Sequence, residues 1–217
     1  MYLASLIDEI LESKKDKLQG RITFKDVCTT LNRSFCKKAP FKFSYNKQKN
    51  IKKDEYCISG LYDIDQDIKY VIFSFSSRSK YIDIRKWNEF KFNVSQVCQH
   101  ETVHQCQWQN RDPDSYKSLE VDFRDLGNNK KQDQRYLSDP DEIDAYGHDL
   151  AMEIKHYYSN KAPEKIIKNI HRLKKLGTYY YYKRTFCNDR EKWKTIRTKL
   201  LKKVMKWLPH VTVYNDR

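Results

Sequence analysis

Paired cysteines, long apolar runs and net positive charge outside one segment are what this chain has little of. Its six cysteines (Cys28, Cys36, Cys57, Cys98, Cys106, Cys187) form no C-x-x-C pair, and Cys98 and Cys106, eight apart on one expected helix, cannot bridge each other. That pattern excludes a disulfide framework and reads as reduced, mostly buried thiols. No apolar run approaches the roughly 20 residues of a membrane span. Met1 to Leu18 sets Leu3, Leu6, Ile7, Ile10 and Leu11 at helical spacing with Asp8 and Glu9 between them, an amphipathic helix rather than a signal peptide or a span. These absences suit a cytoplasmic protein. At 217 residues the chain can bury a core of one sizeable domain with an appendage.

One stretch carries specific chemistry. His100-Glu101-Thr102-Val103-His104 reads H-E-x-x-H. Four residues apart on a helix, the two histidines stand one turn above each other and can grip one metal ion, with the glutamate beside them to act on water. Asn93 offers an N-cap with Gln96 three residues on, so a helix over Val94 to Gln107 is expected, uninterrupted by glycine or proline. The flanks Val97-Cys98-Gln99 and Gln105-Cys106 carry no charge, as a helix buried around a metal requires.

Those flanks resemble the extended pattern of the zincin metallopeptidases. A third histidine six residues beyond the second, as one zincin branch has it, would fall on Asn110, which excludes that branch. Downstream, Asp139-Pro140-Asp141-Glu142-Ile143-Asp144-Ala145-Tyr146 contains Glu142-x-x-Ala145. It is similar to the gluzincin branch, whose third ligand is a glutamate from a later helix. The resemblance covers two short segments, and the 37 residues between His104 and Glu142 are a longer gap than in many members. It implies Zn2+ held by His100, His104 and Glu142, a small sheet packed on the H-E-x-x-H helix, and peptide-bond hydrolysis with Glu101 as general base. Tyr146, His148 and Tyr136 are candidates for stabilising the oxyanion, and Asp141, Asp144 and Asp149 for orienting the histidines. Two other readings of the third ligand stay open. Glu142, third residue after the N-cap Asp139, stands where a capping box places glutamate, and His148 is a rival ligand, with Asp144 a weaker one. The glycine-poor, tyrosine- and lysine-rich composition is also similar to that of uncharacterised phage-borne zincin-like proteins, which would place the chain in a host cytoplasm.

The expected architecture is α+β, with residues 1-160 as a catalytic domain and 161-217 as a basic helical region. A helix capped by Thr23 runs to about Phe35, and strands are expected over Phe41 to Tyr45, Glu55 to Tyr62, Lys69 to Ser76 and Lys80 to Arg85. The resemblance implies an edge strand that holds the substrate backbone, for which Tyr81 to Arg85 is the choice. The polar stretch 109-138 reads as a loop or lid, anchored by Val121 and Phe123. Beyond it, Glu164 to Leu176 is expected as a helix ended by Gly177, and Asn188 or Asp189 caps a longer one.

Charge separates the two regions. Lys161 to His210 holds 16 Lys or Arg against Glu164, Asp189 and Glu191, so thirteen of the fourteen net positive charges lie there. A face of one sign repels itself unless an anion covers it. With Tyr179-Tyr180-Tyr181-Tyr182 beside it, the segment suits nucleic acid or an acidic protein. Lys183, Arg184, Lys192, Lys194, Arg197, Lys199 and Lys203 are its candidate contacts. Two function classes follow: a zinc metallopeptidase acting on nucleic-acid-associated or acidic proteins, and a non-catalytic nucleic-acid or protein-binding module on a zincin scaffold.

Overall fold

Alternating apolar residues organise the first half of the chain. In the computed structural model, which describes residues 2–36, 38–111 and 129–211, the protein is α+β. Its chain packs as two units, one running to Trp108 and the other beginning at Gln109. In the first unit, helices α1 (Tyr2–Glu12) and α2 (Lys15–Leu18) take the place of one amphipathic helix. After β1 (Gly20–Thr23), helix α3 (Phe24–Phe35) starts where Thr23 Oγ1 accepts the Asp26 amide at 3.1 Å. Strands β2 (Phe41–Gln48), β3 (Tyr56–Asp63) and β4 (Ile68–Ser76) make one sheet in the order β2-β4-β3, with β2 parallel and β3 antiparallel to β4. The strand β5 (Tyr81–Ile84) pairs with β1 in a separate two-stranded sheet.

Val71, Phe73 and Phe75 alternate along β4 and are all buried, so one face of the three-stranded sheet is a core face. Phe24 of α3 stacks on Phe75 at 3.7 Å, and Phe35 packs against Phe43 at 4.9 Å. Onto the same core comes α4 (Trp87–Gln109), through Phe90 against Phe73 at 6.2 Å and through Val94 and Cys98. This helix starts seven residues before the expected Val94. Trp87 and Phe90 are buried, so apolar burial extends it past Asn93, which lies inside it and is no cap. All six cysteines are free, but only Cys28 and Cys98 are buried; the other four are exposed, against the expectation of mostly buried thiols.

In the second unit, α5 (Lys130–Tyr136) begins at Asn129, whose side chain accepts the Lys131 amide at 3.1 Å. Part of the expected loop is therefore helical. Val121 and Phe123 lie outside the described residues. Pro140 opens α6 (Pro140–Tyr158), with Asp139 Oδ1 accepting the Asp141 amide at 2.8 Å. After α7 (Pro163–Lys168) comes a short 3-10 turn, Ile170–Arg172. Gly177 then starts α8 (Gly177–Thr185) instead of ending a helix. The buried Glu153 carboxylate accepts both the amide and the hydroxyl of Thr178, at 3.0 and 2.8 Å, which fixes the α8 N-terminus to α6. Asp189 caps α9 (Arg190–Trp207) through the Lys192 amide at 2.9 Å.

Helix α9 is packed on α6. Trp207 Nε1 donates to Asp144 at 3.1 Å, Lys203 Nζ pairs with the same carboxylate at 3.0 Å, and His148 lies edge-on to the Trp207 ring at 5.0 Å. Packing therefore divides the chain at 108/109, whereas charge divides it at 160/161. The crossing needs Gly147, because a Cβ there would meet Lys203 Cβ at 2.5 Å and the Lys203 carbonyl carbon at 3.3 Å. Gly147→Ala should lower stability by about 1–3 kcal/mol through overpacking, although alanine is the better helix former by about 1 kcal/mol. A fall in the urea midpoint checks this; an unchanged or raised midpoint refutes the close crossing. Among the described residues, no helix is long and apolar enough to cross a membrane.

Candidate metal centre

On α4 the i,i+4 spacing brings His100 and His104 together as the sequence requires. Their Nε2 atoms lie 3.1 Å apart, with the rings inclined at 75°. Two neutral ligands at Zn–N distances of about 2.0–2.1 Å in a tetrahedron would stand roughly 3.3 Å apart, so this pair fits one ion. His104 Nδ1 lies 2.9 Å from Gln107 Oε1. A carbonyl oxygen only accepts, so Nδ1 carries the proton and Nε2 keeps its lone pair for a metal. An amide one turn along α4 thus holds this histidine, a partner that the sequence reading did not name. Its signal was legible at i+3 from His104.

Glu101 is 4 % exposed and lies against β3. The fit is close: a Cβ on Gly60 would stand 2.1 Å from Glu101 Oε1 and 2.6 Å from Cγ and Cδ. A lone glycine inside a strand pattern signals such an approach, and Gly60 is the position beside Glu101 that reading the motif alone missed. It also moves the edge strand. Tyr81–Ile84 lies in the two-stranded sheet with β1, and Arg85, just beyond it, is engaged with Asp83 at 2.6 Å. The edge strand beside Glu101 is β3, and no described strand pairs with its outer edge.

A polar relay secures the helix to the β3–β4 hairpin. Buried Lys69 donates from Nζ to Gln105 Oε1, Gln105 Nε2 donates to Asp67 Oδ1 at 2.7 Å, and Tyr62 donates to the same oxygen at 2.7 Å. Burial holds the Lys69 ammonium below its ordinary pKa, with Asp67 opposing that shift. Tyr62 is pushed up to about 12, first by burial and then by its bond to Asp67. Gln105 and Gln107 thus do separate work just beyond His104.

In the second unit Glu142 is buried in the first turn of α6. The capping-box alternative needs the Asp139 amide, but that amide donates to the Tyr136 carbonyl at 3.0 Å. Glu142 is therefore not required as a cap. Arg111 pairs with Asp141, and Asp144 is occupied by Trp207 and Lys203. His148 and Asp149 are both buried, with Nδ1 3.8 Å from the carboxylate. Tyr146 packs against Tyr182 and Tyr181, at ring distances of 5.5 and 6.1 Å. Burial first, and the nearby Glu142 carboxylate second, hold its phenol well above the usual range, so it stays a hydrogen-bond donor at neutral pH.

The basic candidates divide by environment. Lys183 and Arg184 end α8 and are exposed, as are Lys194 and Lys199 on α9; Lys202 and Lys206, not singled out from sequence, share that outer face. Half-buried Lys192 sits over the Phe186 ring at 5.6 Å, and Arg197 is half-buried too. Lys203 differs, being committed to Asp144. Ile196, Leu200 and Val204 form the buried side of the helix.

No protein-family model, curated protein or solved structure matches the chain.

Proposed function

We propose that the protein is a gluzincin-like zinc metallopeptidase, in which His100, His104 and Glu142 hold Zn2+ and Glu101 is the general base. The observation that carries it is the pair of Nε2 atoms 3.1 Å apart on one helix, with Glu101 buried beside them. The two histidines belong to the first unit, and Glu142, the ligand proposed from the sequence, is buried in the first turn of α6 in the second. Zinc in such a site supplies Lewis acidity and brings the pKa of a water to about 7. The chain's own residues then have separable tasks. Glu101, held against Gly60, takes a proton from the attacking water and passes it to the leaving amine. Gln107 fixes the His104 tautomer. The outer edge of β3 offers unpaired backbone groups to an extended peptide, in a zincin-like arrangement of small sheet and motif helix.

Exposed Lys194, Lys199, Lys202 and Lys206 support a substrate that is acidic or bound to nucleic acid. The same face favours the second reading, a binding module without hydrolysis.

Zinc titration of the metal-stripped protein tests the ligand set. One ion should bind per chain, His104→Ala and Glu142→Ala should each abolish tight binding, and Gln107→Ala should weaken it by about 10–100-fold. Tight zinc retained without Glu142 would move the third ligand elsewhere, with His148 next to be replaced. Zinc absent from the wild-type protein would sink the proposal.

A further inference from the structure

The first unit holds a cleft of about 430 Å³ between the start of β3 and the first turns of α4, near the small end of ligand pockets. A long side chain can enter it. Its walls are mixed: Ile58, Val97 and the Tyr56 ring are apolar, while Asp54, Glu55 and Glu89 are acidic, and among the described residues no lysine or arginine lines it. In a chain of net charge +14 this is a local reversal of sign. The carboxylates are not consumed by strong pairing. Glu55 meets Lys52 at 3.4 Å and Glu89 meets Lys86 at 3.3 Å, both in exposed pairs that a competing cation displaces easily. Glu89 lines the cleft beside Tyr56, whose phenol is raised above its usual range first by burial and then by the Glu89 carboxylate.

The cleft is also in line with the proposed chemistry. Val97 precedes Glu101 by one helical turn, and Ile58 precedes Gly60 by two residues on the strand that Glu101 touches. An extended peptide lying on β3 with its scissile bond at Glu101 would therefore set a nearby side chain over the cleft.

We infer that this cleft is a specificity subsite for a lysine or arginine side chain of the substrate, its methylenes on Ile58 and Val97 and its charged head between Glu55 and Glu89. The inference rests on the hydrolytic reading for its substrate class, but the cleft is testable without turnover. The probes are peptides identical except for one residue, which is arginine, lysine, citrulline or norleucine, bound to full-length Glu101→Gln protein and followed by fluorescence anisotropy. The arginine and lysine peptides should bind at least about 10-fold tighter than the other two. Glu89→Lys should erase that difference and leave the norleucine peptide unchanged. Because Glu89 also favours the α4 N-terminus, Glu55→Lys gives a second reading from the strand side, and it should act the same way. Equal affinity for all four peptides, or a charge preference that survives both variants, overturns the subsite. Cleavage of the same peptides by zinc-loaded wild-type protein separates the two claims. Hydrolysis without preference for the basic peptides removes the subsite and keeps the peptidase. Charge-selective binding with no hydrolysis removes the peptidase and keeps the cleft as a basic side-chain site.

Discussion

Glu101→Gln is expected to keep one zinc per chain and lose about 10²–10⁴-fold in kcat, the range of a removed general base. The substitution is close to isosteric. It keeps the atoms that fill the space against Gly60 and leaves the two histidines untouched. What changes is that an amide cannot take a proton from water at neutral pH. Metal content and peptide hydrolysis, measured on the same preparation, check it. Hydrolysis at the wild-type rate would refute Glu101 as the base and favour the binding-module reading.

Gly60→Ala should cost activity by about 10²-fold or more while the fold survives, because an approach of 2.1 Å to Oε1 leaves the new methyl and the carboxylate no way to share the space. A displacement of about 1 Å at a reacting group is enough for that loss. Gly60 is not in the left-handed region, where only Gly20 and Asp67 are found among the described residues. Alanine is therefore allowed by the backbone and even favoured in a strand by about 0.5–1 kcal/mol. Glu101 must swing aside at a cost of about 1–3 kcal/mol, as overpacking usually exacts. The measurements are kcat/KM, zinc content and thermal midpoint together. Full activity in the alanine variant would show that Glu101 does not work from its place beside β3.

Much of the local structure was legible because it rests on nearest neighbours. Thr23, Asp139 and Asp189 are caps in the sequence and in the structure, and the alternation of Val71, Phe73 and Phe75 marks the central strand of its sheet. What could not be read depended on partners far along the chain. Asn93 has every attribute of a cap, but burial of Trp87 and Phe90 carries the helix through it. Gly177 looks like a helix stop, yet Glu153, 24 residues earlier, supplies the acceptor that lets a helix start there. At the candidate site the histidine pair was encoded by its spacing alone. Gly60 was not, since its meaning lies in a glutamate 41 positions away. The partners of the α6 aspartates were equally out of reach of the sequence: Asp141 pairs with Arg111, and Asp144 holds Lys203 of α9.

The hold of α9 on Asp144 sets how the basic segment has to be dissected. A truncation at Arg190 would take Trp207 and Lys203 away from the helix that carries Glu142 in its first turn. Such a deletion would strip charge and undermine a proposed ligand in one stroke, and a lost activity could be blamed on either. Neutralising Lys194, Lys199 and Lys202 in place, with Lys203 left alone, removes the cationic face and keeps the brace.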